Sequence, residues 1–175
     1  MAMRAVVIAI AMSACAAAKP AATPARAAID GAAWDRLTRA LPGTWSMTTA
    51  SGRELRVAYK LISNGSALVE DWNVGSNRET ETVFHPDQQD ILLTHYCAQG
   101  NQPRLRAVAA SPGSIAFKLV DVTNQRPDQA VLVERRLAFD GDRLDDTEIY
   151  RQPNGSDEST TYRLVRVSPE HASPP

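Results

Sequence analysis

Glu54-Leu55-Arg56-Val57-Ala58-Tyr59-Lys60-Leu61-Ile62 alternates apolar and polar residues along its length. Leu55, Val57, Tyr59 and Leu61 share one face, and Arg56, Ala58 and Lys60 share the other. A period of two belongs to a strand with one buried side. Asn64-Gly65 follows, a strong hairpin turn signal because both residues tolerate a positive φ. Residues 67–73 then return. The stretch reads as one half-buried antiparallel hairpin.

The same unit recurs outward in both directions. Strands are expected over 44–49, 54–62, 67–73, 79–85, 90–97, 104–110, 114–122, 129–139, 143–151 and 159–167. Pro86-Asp87-Gln88-Gln89, Ser111-Pro112-Gly113, Asp140-Gly141-Asp142 and Pro153-Asn154-Gly155 supply turns between them. No convincing helix interrupts the series. Short connections make sequence neighbours spatial neighbours, and a meander of this length removes its unpaired edges by closing. The fold class is therefore mainly β: an antiparallel up-and-down barrel of about ten strands with one short N-terminal helix. That helix is expected over 31–40, N-capped by Asp30, with Trp34, Leu37 and Leu41 on one face and Pro42-Gly43 ending it. It is placed to plug one end of the barrel.

Residues 1–27 read separately. A basic start ending at Arg4 precedes the apolar run 5–14, too short to span a bilayer and suited to the h-region of a signal peptide. Met12-Ser13-Ala14-Cys15 resembles the bacterial lipobox, with Met12 where Leu is usual. That resemblance implies cleavage before Cys15, lipid attachment there, and an outer-membrane destination. Cleavage after Ala25-Arg26-Ala27 is the alternative. Residues 16–28, rich in Ala and Pro, suit a tether. The barrel domain is expected over 28–167 and a disordered tail over 168–175.

The chain carries 19 basic and 20 acidic residues. Without residues 1–27 the balance is 16 basic to 20 acidic, a net charge of −4, with Lys60 and Lys118 as the remaining lysines. Such a body has no basic stripe, so no nucleic-acid partner is expected. Cys97 is then the one remaining thiol, and no intrachain disulfide can form.

Gly43-Thr44-Trp45, after the helix and opening the first strand, resembles the G-x-W signature of lipocalins and related calycin barrels. There the Trp closes the barrel base under a basic residue of the last strand, for which Arg163 or Arg166 is available here. The strand count and the lack of a second lipocalin motif depart from true lipocalins. The stretch LTHYCAQGNQPRLRA (93–107), with residues 41–45 and 66–70, resembles a bacterial secreted lipocalin-like (calycin-type) β-barrel family. The resemblance implies a lipocalin-like barrel and no particular activity.

The chemistry-bearing residues are few. His95 and Cys97 share a strand face, but same-face neighbours start about 7 Å apart, and a nucleophile–base pair needs about 3 Å. A core His beside a small apolar Cys is the plainer reading. His85 and His95 do not sit opposite each other, and no third ligand stands at suitable spacing, so no metal site and no cofactor are expected. The chain resembles haem-binding nitrobindin-like barrels in strand count only. Glu70 shares a face with Leu68 and Trp72. Facing inward it is a buried carboxylate suited to acid–base work; facing outward it is inert. Arg104 and Arg106 are either two surface arginines or an inward pair for a carboxylate headgroup. Gln99, Asn101 and Gln102 sit in a rim loop, as ligand contacts or as a solvated turn. The aromatics are expected in the core. Asp140, Asp142, Asp145 and Asp146 read as a solvated hairpin, lacking the spacing of a calcium loop.

The expected function is binding of a small apolar or amphipathic ligand inside the barrel, in the bacterial envelope. The expected lining is Leu55, Val57 and Tyr59; Leu93, His95 and Cys97; Ile115, Phe117 and Leu119. Glu70, Trp72, His95, Tyr96, Arg104 and Arg106 are the ligand-binding candidates. The alternatives are an enzyme using Glu70 or His95 as a general acid–base, and a structural module with a packed interior and no cavity.

Overall fold

The computed structural model describes residues 32–73, 76 and 78–167. The expected leader with Cys15, the Asp30 cap and the tail 168–175 lie outside the described residues. One helix, α1 (Ala32–Ala40), precedes ten strands: β1 (Gly43–Thr48), β2 (Glu54–Ile62), β3 (Ala67–Trp72), β4 (Thr80–Asp87), β5 (Asp90–Tyr96), β6 (Gln102–Ser111), β7 (Ser114–Thr123), β8 (Val131–Asp140), β9 (Arg143–Arg151) and β10 (Asp157–Arg166). Each strand pairs antiparallel with its sequence neighbours, and β1 pairs with β10 to close the barrel. The expected meander of ten strands behind one helix is the observed architecture.

Several strands run past their expected ends because the neighbouring strand of the same hairpin supplies ladder partners there. β4 continues through Pro86, opposite Ile91, to Asp87, opposite Asp90. β10 begins at Asp157, opposite Arg151. Register slips in β6 and at Leu132/Glu134 in β8 change which residues face inward.

The barrel end where β1 begins and β10 ends is closed by α1. Leu37 and Leu41 of this segment are buried with Trp45, Leu68, Phe84, Leu93, Leu105, Phe117, Leu137 and Leu144 in one apolar cluster. Phe84 and Phe117 meet edge to face, 5.8 Å between ring centres. Trp45 Nε1 donates to the Leu41 carbonyl at 2.8 Å, satisfying an acceptor at the end of the helix.

Of the two candidate basic partners, the structure selects Arg166. Its guanidinium lies 4.1 Å from the Trp45 ring centre and donates to the carbonyls of Ala40 at 2.6 Å and Pro42 at 2.8 Å. Arg163 faces solvent. Gly43 is required here for two reasons. Its φ is +123°, and a Cβ would lie 3.0 Å from Arg166 Nη1.

Candidate functional site

Above the apolar base, the barrel interior turns polar. Tyr59, Glu70, Thr82 and His95 stand opposite one another across β2, β3, β4 and β5. Each belongs to the inward alternation of its strand, so register alone assembles them into one row. Tyr59 donates its hydroxyl to Glu70 Oε2 at 2.5 Å. Thr82 Oγ1 lies 2.9 Å from His95 Nδ1, and the Tyr150 hydroxyl lies 3.3 Å from His95 Nε2.

Arg135 enters from β8 on the opposite wall. It crosses the lumen to donate to Glu70 Oε2 at 2.5 Å and grips Asp146 of β9 with two bonds, at 3.0 and 2.5 Å. Arg135, Glu70 and Asp146 side chains are fully buried. A buried bidentate guanidinium–carboxylate pair needs this many hydrogen bonds to offset its desolvation. The Arg135–Glu70 bond ties β8 to β3, which share no ladder.

The charges do not balance. One arginine faces three carboxylates, since Glu148 Oε1 lies 3.8 Å from Arg135 Nε. Burial alone would lower Arg135, but the carboxylates of Asp146 and Glu70 outweigh it and hold the guanidinium charged. Glu148 is pushed up to about 8, by burial first and then by Asp146 and Glu70, against the pull of Arg135. Glu148 is thereby biased toward its protonated form. His95 is lowered to about 4 by burial and by Arg135, and stays neutral. Tyr59 and Tyr150 are raised, chiefly by burial, and remain phenols.

Over this belt, at the end opposite α1, lies a cavity of about 630 Å³. Its inner wall holds His95, Glu148, Tyr150, Trp72 and Tyr162, and its mouth is lined by Arg53, Arg78, Asp128 and Glu158. Trp72 and Tyr162 pack at 4.9 Å between ring centres, tilted 55°. Trp72 is 7% exposed, and its Nε1 has no hydrogen-bond partner among the described residues.

Three of the six ligand-binding candidates face inward. Trp72 and His95 line the cavity, and Glu70 lies beneath it, held by Tyr59 and Arg135. The other three face outward, away from the cavity. Tyr96 is 48% exposed on the outer face. Arg104 pairs with Asp121 outside the barrel, and Arg106 with Asp90 at 2.7 Å. The inward neighbours on that strand are Leu105 and Ala107, so alternation sends both arginines outward. Of the expected lining, Leu55, His95 and Cys97 reach the cavity, Val57, Tyr59, Leu93, Ile115 and Phe117 are packed core, and Leu119 packs half-buried against that core.

Asp146 overturns the reading of its cluster as a solvated hairpin: it is fully buried, whereas Asp140, Asp142 and Asp145 are exposed. The rim loop serves as a brace. Asn101 Nδ2 donates to the Ala130 carbonyl at 2.9 Å, and Gln129 Nε2 donates to the Gln99 carbonyl. Both nitrogens of His95 are engaged, which does not fit a haem ligand. Among the described residues no cluster of three His, Cys, Asp or Glu is arranged to hold a metal ion. Arg135, Glu148 and Tyr150 were not anticipated as site residues. Leu144, Asp146, Glu148 and Tyr150 alternate on one face, and that pattern carried the signal.

Comparison with known protein families and with curated protein sequences found no match to this chain. The closed antiparallel barrel is compatible with a lipocalin-like fold.

Proposed function

We propose that this chain is a lipocalin-like carrier of the bacterial envelope that binds a small amphipathic molecule in the mouth of its barrel. The observation that carries this reading is a barrel plugged at one end, with a cavity of about 630 Å³ at the other. Small-molecule sites typically measure about 300–1,000 Å³ and combine apolar walls with a few convergent polar groups. Here Trp72, Tyr150 and Tyr162 supply the walls, and Glu148 and the rim charges the polarity. A fully packed module would have no such space. The residues 1–27 support export, with Cys15 as the lipid attachment site and the outer membrane as destination. The G-x-W at Gly43–Trp45 and its Arg166 partner support kinship with the bacterial secreted lipocalin-like family. No nucleic-acid partner is proposed.

The test is native mass spectrometry of the purified protein after incubation with lipid and metabolite extracts of a bacterial envelope. A discrete added mass supports the carrier and names its ligand class. A clean apo mass across extracts overturns it. The intact mass of the exported protein reads the cleavage site, and a diacylglyceryl increment reads the anchor.

An acid–base enzyme is the second reading, and Glu148 favours it. It is a buried carboxyl lining the cavity, raised to about 8. The expected acid–base groups fit less well, because Glu70 is clamped by Arg135 and His95 is lowered to about 4.

A further inference from the structure

The inner wall of the cavity sets one carboxyl, Glu148, among aromatic rings. At the mouth, Arg53 and Arg78 are matched in number by Asp128 and Glu158. Those groups are exposed, and salt screens exposed charges within about 10 Å. The inner wall therefore decides. There Arg135 is already committed to Glu70 and Asp146, with three hydrogen bonds to their carboxylates. Glu148 is left over. It is 7% exposed, lines the cavity, and has no contact closer than 3.8 Å to the guanidinium. A buried carboxylate without a dedicated partner is neutralised either by a proton or by a cation. The same wall presents the rings of Trp72, Tyr150 and Tyr162. Aromatic faces beside a carboxylate form the usual surroundings of a substituted ammonium group.

We propose that the ligand is a small organic cation, a protonated amine or quaternary ammonium on an apolar body, with Glu148 as its counter-ion and Trp72 and Tyr162 against its charged head. This rests on the carrier reading and names its ligand class. The cation takes the place of the Glu148 proton, which leaves to solvent, so binding one cation releases one proton. The groups facing Glu148 are Arg135 of β8, Asp146 and Tyr150 of β9, Glu70 of β3 and Tyr162 of β10. The tyrosines are held as phenols by burial, and Arg135 stays charged and bound to Glu70 and Asp146. Glu148 is thus the group that exchanges its proton as the ligand arrives.

The experiment is titration calorimetry of the purified protein with octyltrimethylammonium, octanoate and octanol at pH 6, 7 and 8. The ammonium probe does not titrate, so any pH dependence belongs to the protein. The cation should bind more tightly than either comparator at pH 8. Its affinity should rise about tenfold between pH 6 and pH 7, with close to one proton released. Glu148→Gln should weaken the cation about tenfold or more at pH 8, far more than it changes octanol, and flatten the cation's pH dependence. Gln copies the protonated carboxyl in shape, and the wild-type pH dependence is an independent readout if the variant misfolds. Octanol or octanoate binding as tightly as the cation, or cation binding indifferent to pH and to Glu148→Gln, overturns the cation while leaving the carrier standing. Binding of none of the three at any pH overturns both.

Discussion

The two halves of the barrel interior solve the same packing problem in opposite ways. Toward α1, Leu37, Leu41, Trp45, Leu68, Phe84 and Leu105 fill the lumen, each at most 1% exposed. Toward the mouth, Arg135, Glu70, Asp146, Thr82 and His95 occupy the equivalent inward positions, also buried. Apolar residues of similar volume would often be as stable or more so than a buried ion-pair group. The closed half therefore carries the fold, and the open half keeps groups that cost stability. Polar groups retained against that cost mark the region where function is to be sought.

Arg135→Met is the strongest way to break the contrast. It leaves Glu70 and Asp146 buried without their cation, a loss of about 3–5 kcal/mol in urea unfolding at pH 7. The loss should shrink as the pH falls and the Asp146 carboxyl, raised by burial, takes a proton. A loss below about 1 kcal/mol at pH 7 would mean that the belt is not one charged unit. Leu41→Ala, in the closed half, should cost about 3 kcal/mol through an unfilled cavity. That cost should not vary with pH, and ligand affinity should be unchanged. A pH-dependent Leu41→Ala would merge the two halves into one.

Titration sharpens the comparison further. Glu148 has a folded pKa of about 8 against an ordinary 4.5. Between those values the folded chain holds more protons, so stability falls as pH rises, by at most about 1.4 kcal/mol per pH unit. His95 runs the other way. Its folded pKa of about 4 lies below the ordinary 6.5, so stability rises with pH across that window. The two oppose each other from 4.5 to 6.5, and Glu148 acts without that opposition from 6.5 to 8. Thermal unfolding of Glu148→Gln should lose the decline between pH 6.5 and 8, whereas His95→Gln should expose a decline below 6.5. If both variants keep the wild-type profile, neither group sets it.

How much of this was legible in the chain divides along the same line. In the closed half, alternation in β2, the Asn64-Gly65 turn, the helix periodicity and Gly43-Thr44-Trp45 each point to one structure. All act locally, and the fold agrees with them. Arg135 was hidden because parity in β8 switches at its bulge. Counting from buried Leu132 places Glu134 and Arg136 inside, and the slip after Leu132 turns Arg135 inward instead. Asp146 was hidden by its company: three neighbouring aspartates are solvated, and only the alternation Leu144, Asp146, Glu148, Tyr150 separates it from them. Glu70 had two defensible orientations, decided by a partner 65 positions away in sequence. Cross-lumen pairs of this kind follow from closure and register, which no local pattern contains.

The smallest expected effect tests whether the closed half depends on the charge of Arg166. Arg166 lies over Trp45, caps the carbonyls of Ala40 and Pro42, and meets Asp142 at 3.1 Å, with its side chain 28% exposed. Arg166→Met keeps the stem on the indole and removes the charge and the donors. The indole stays buried and hydrogen-bonded to Leu41, so the loss should be about 1 kcal/mol, the scale of one cation–π contact with partly solvated hydrogen bonds. Salt should barely change it, because the attraction to a ring and to carbonyls outweighs the exposed pair with Asp142. Denaturant unfolding at low and high salt measures both. A loss of about 3 kcal/mol or more would make Arg166 a structural keystone of the plug, and the closed half would then rest on a charge as the open half does.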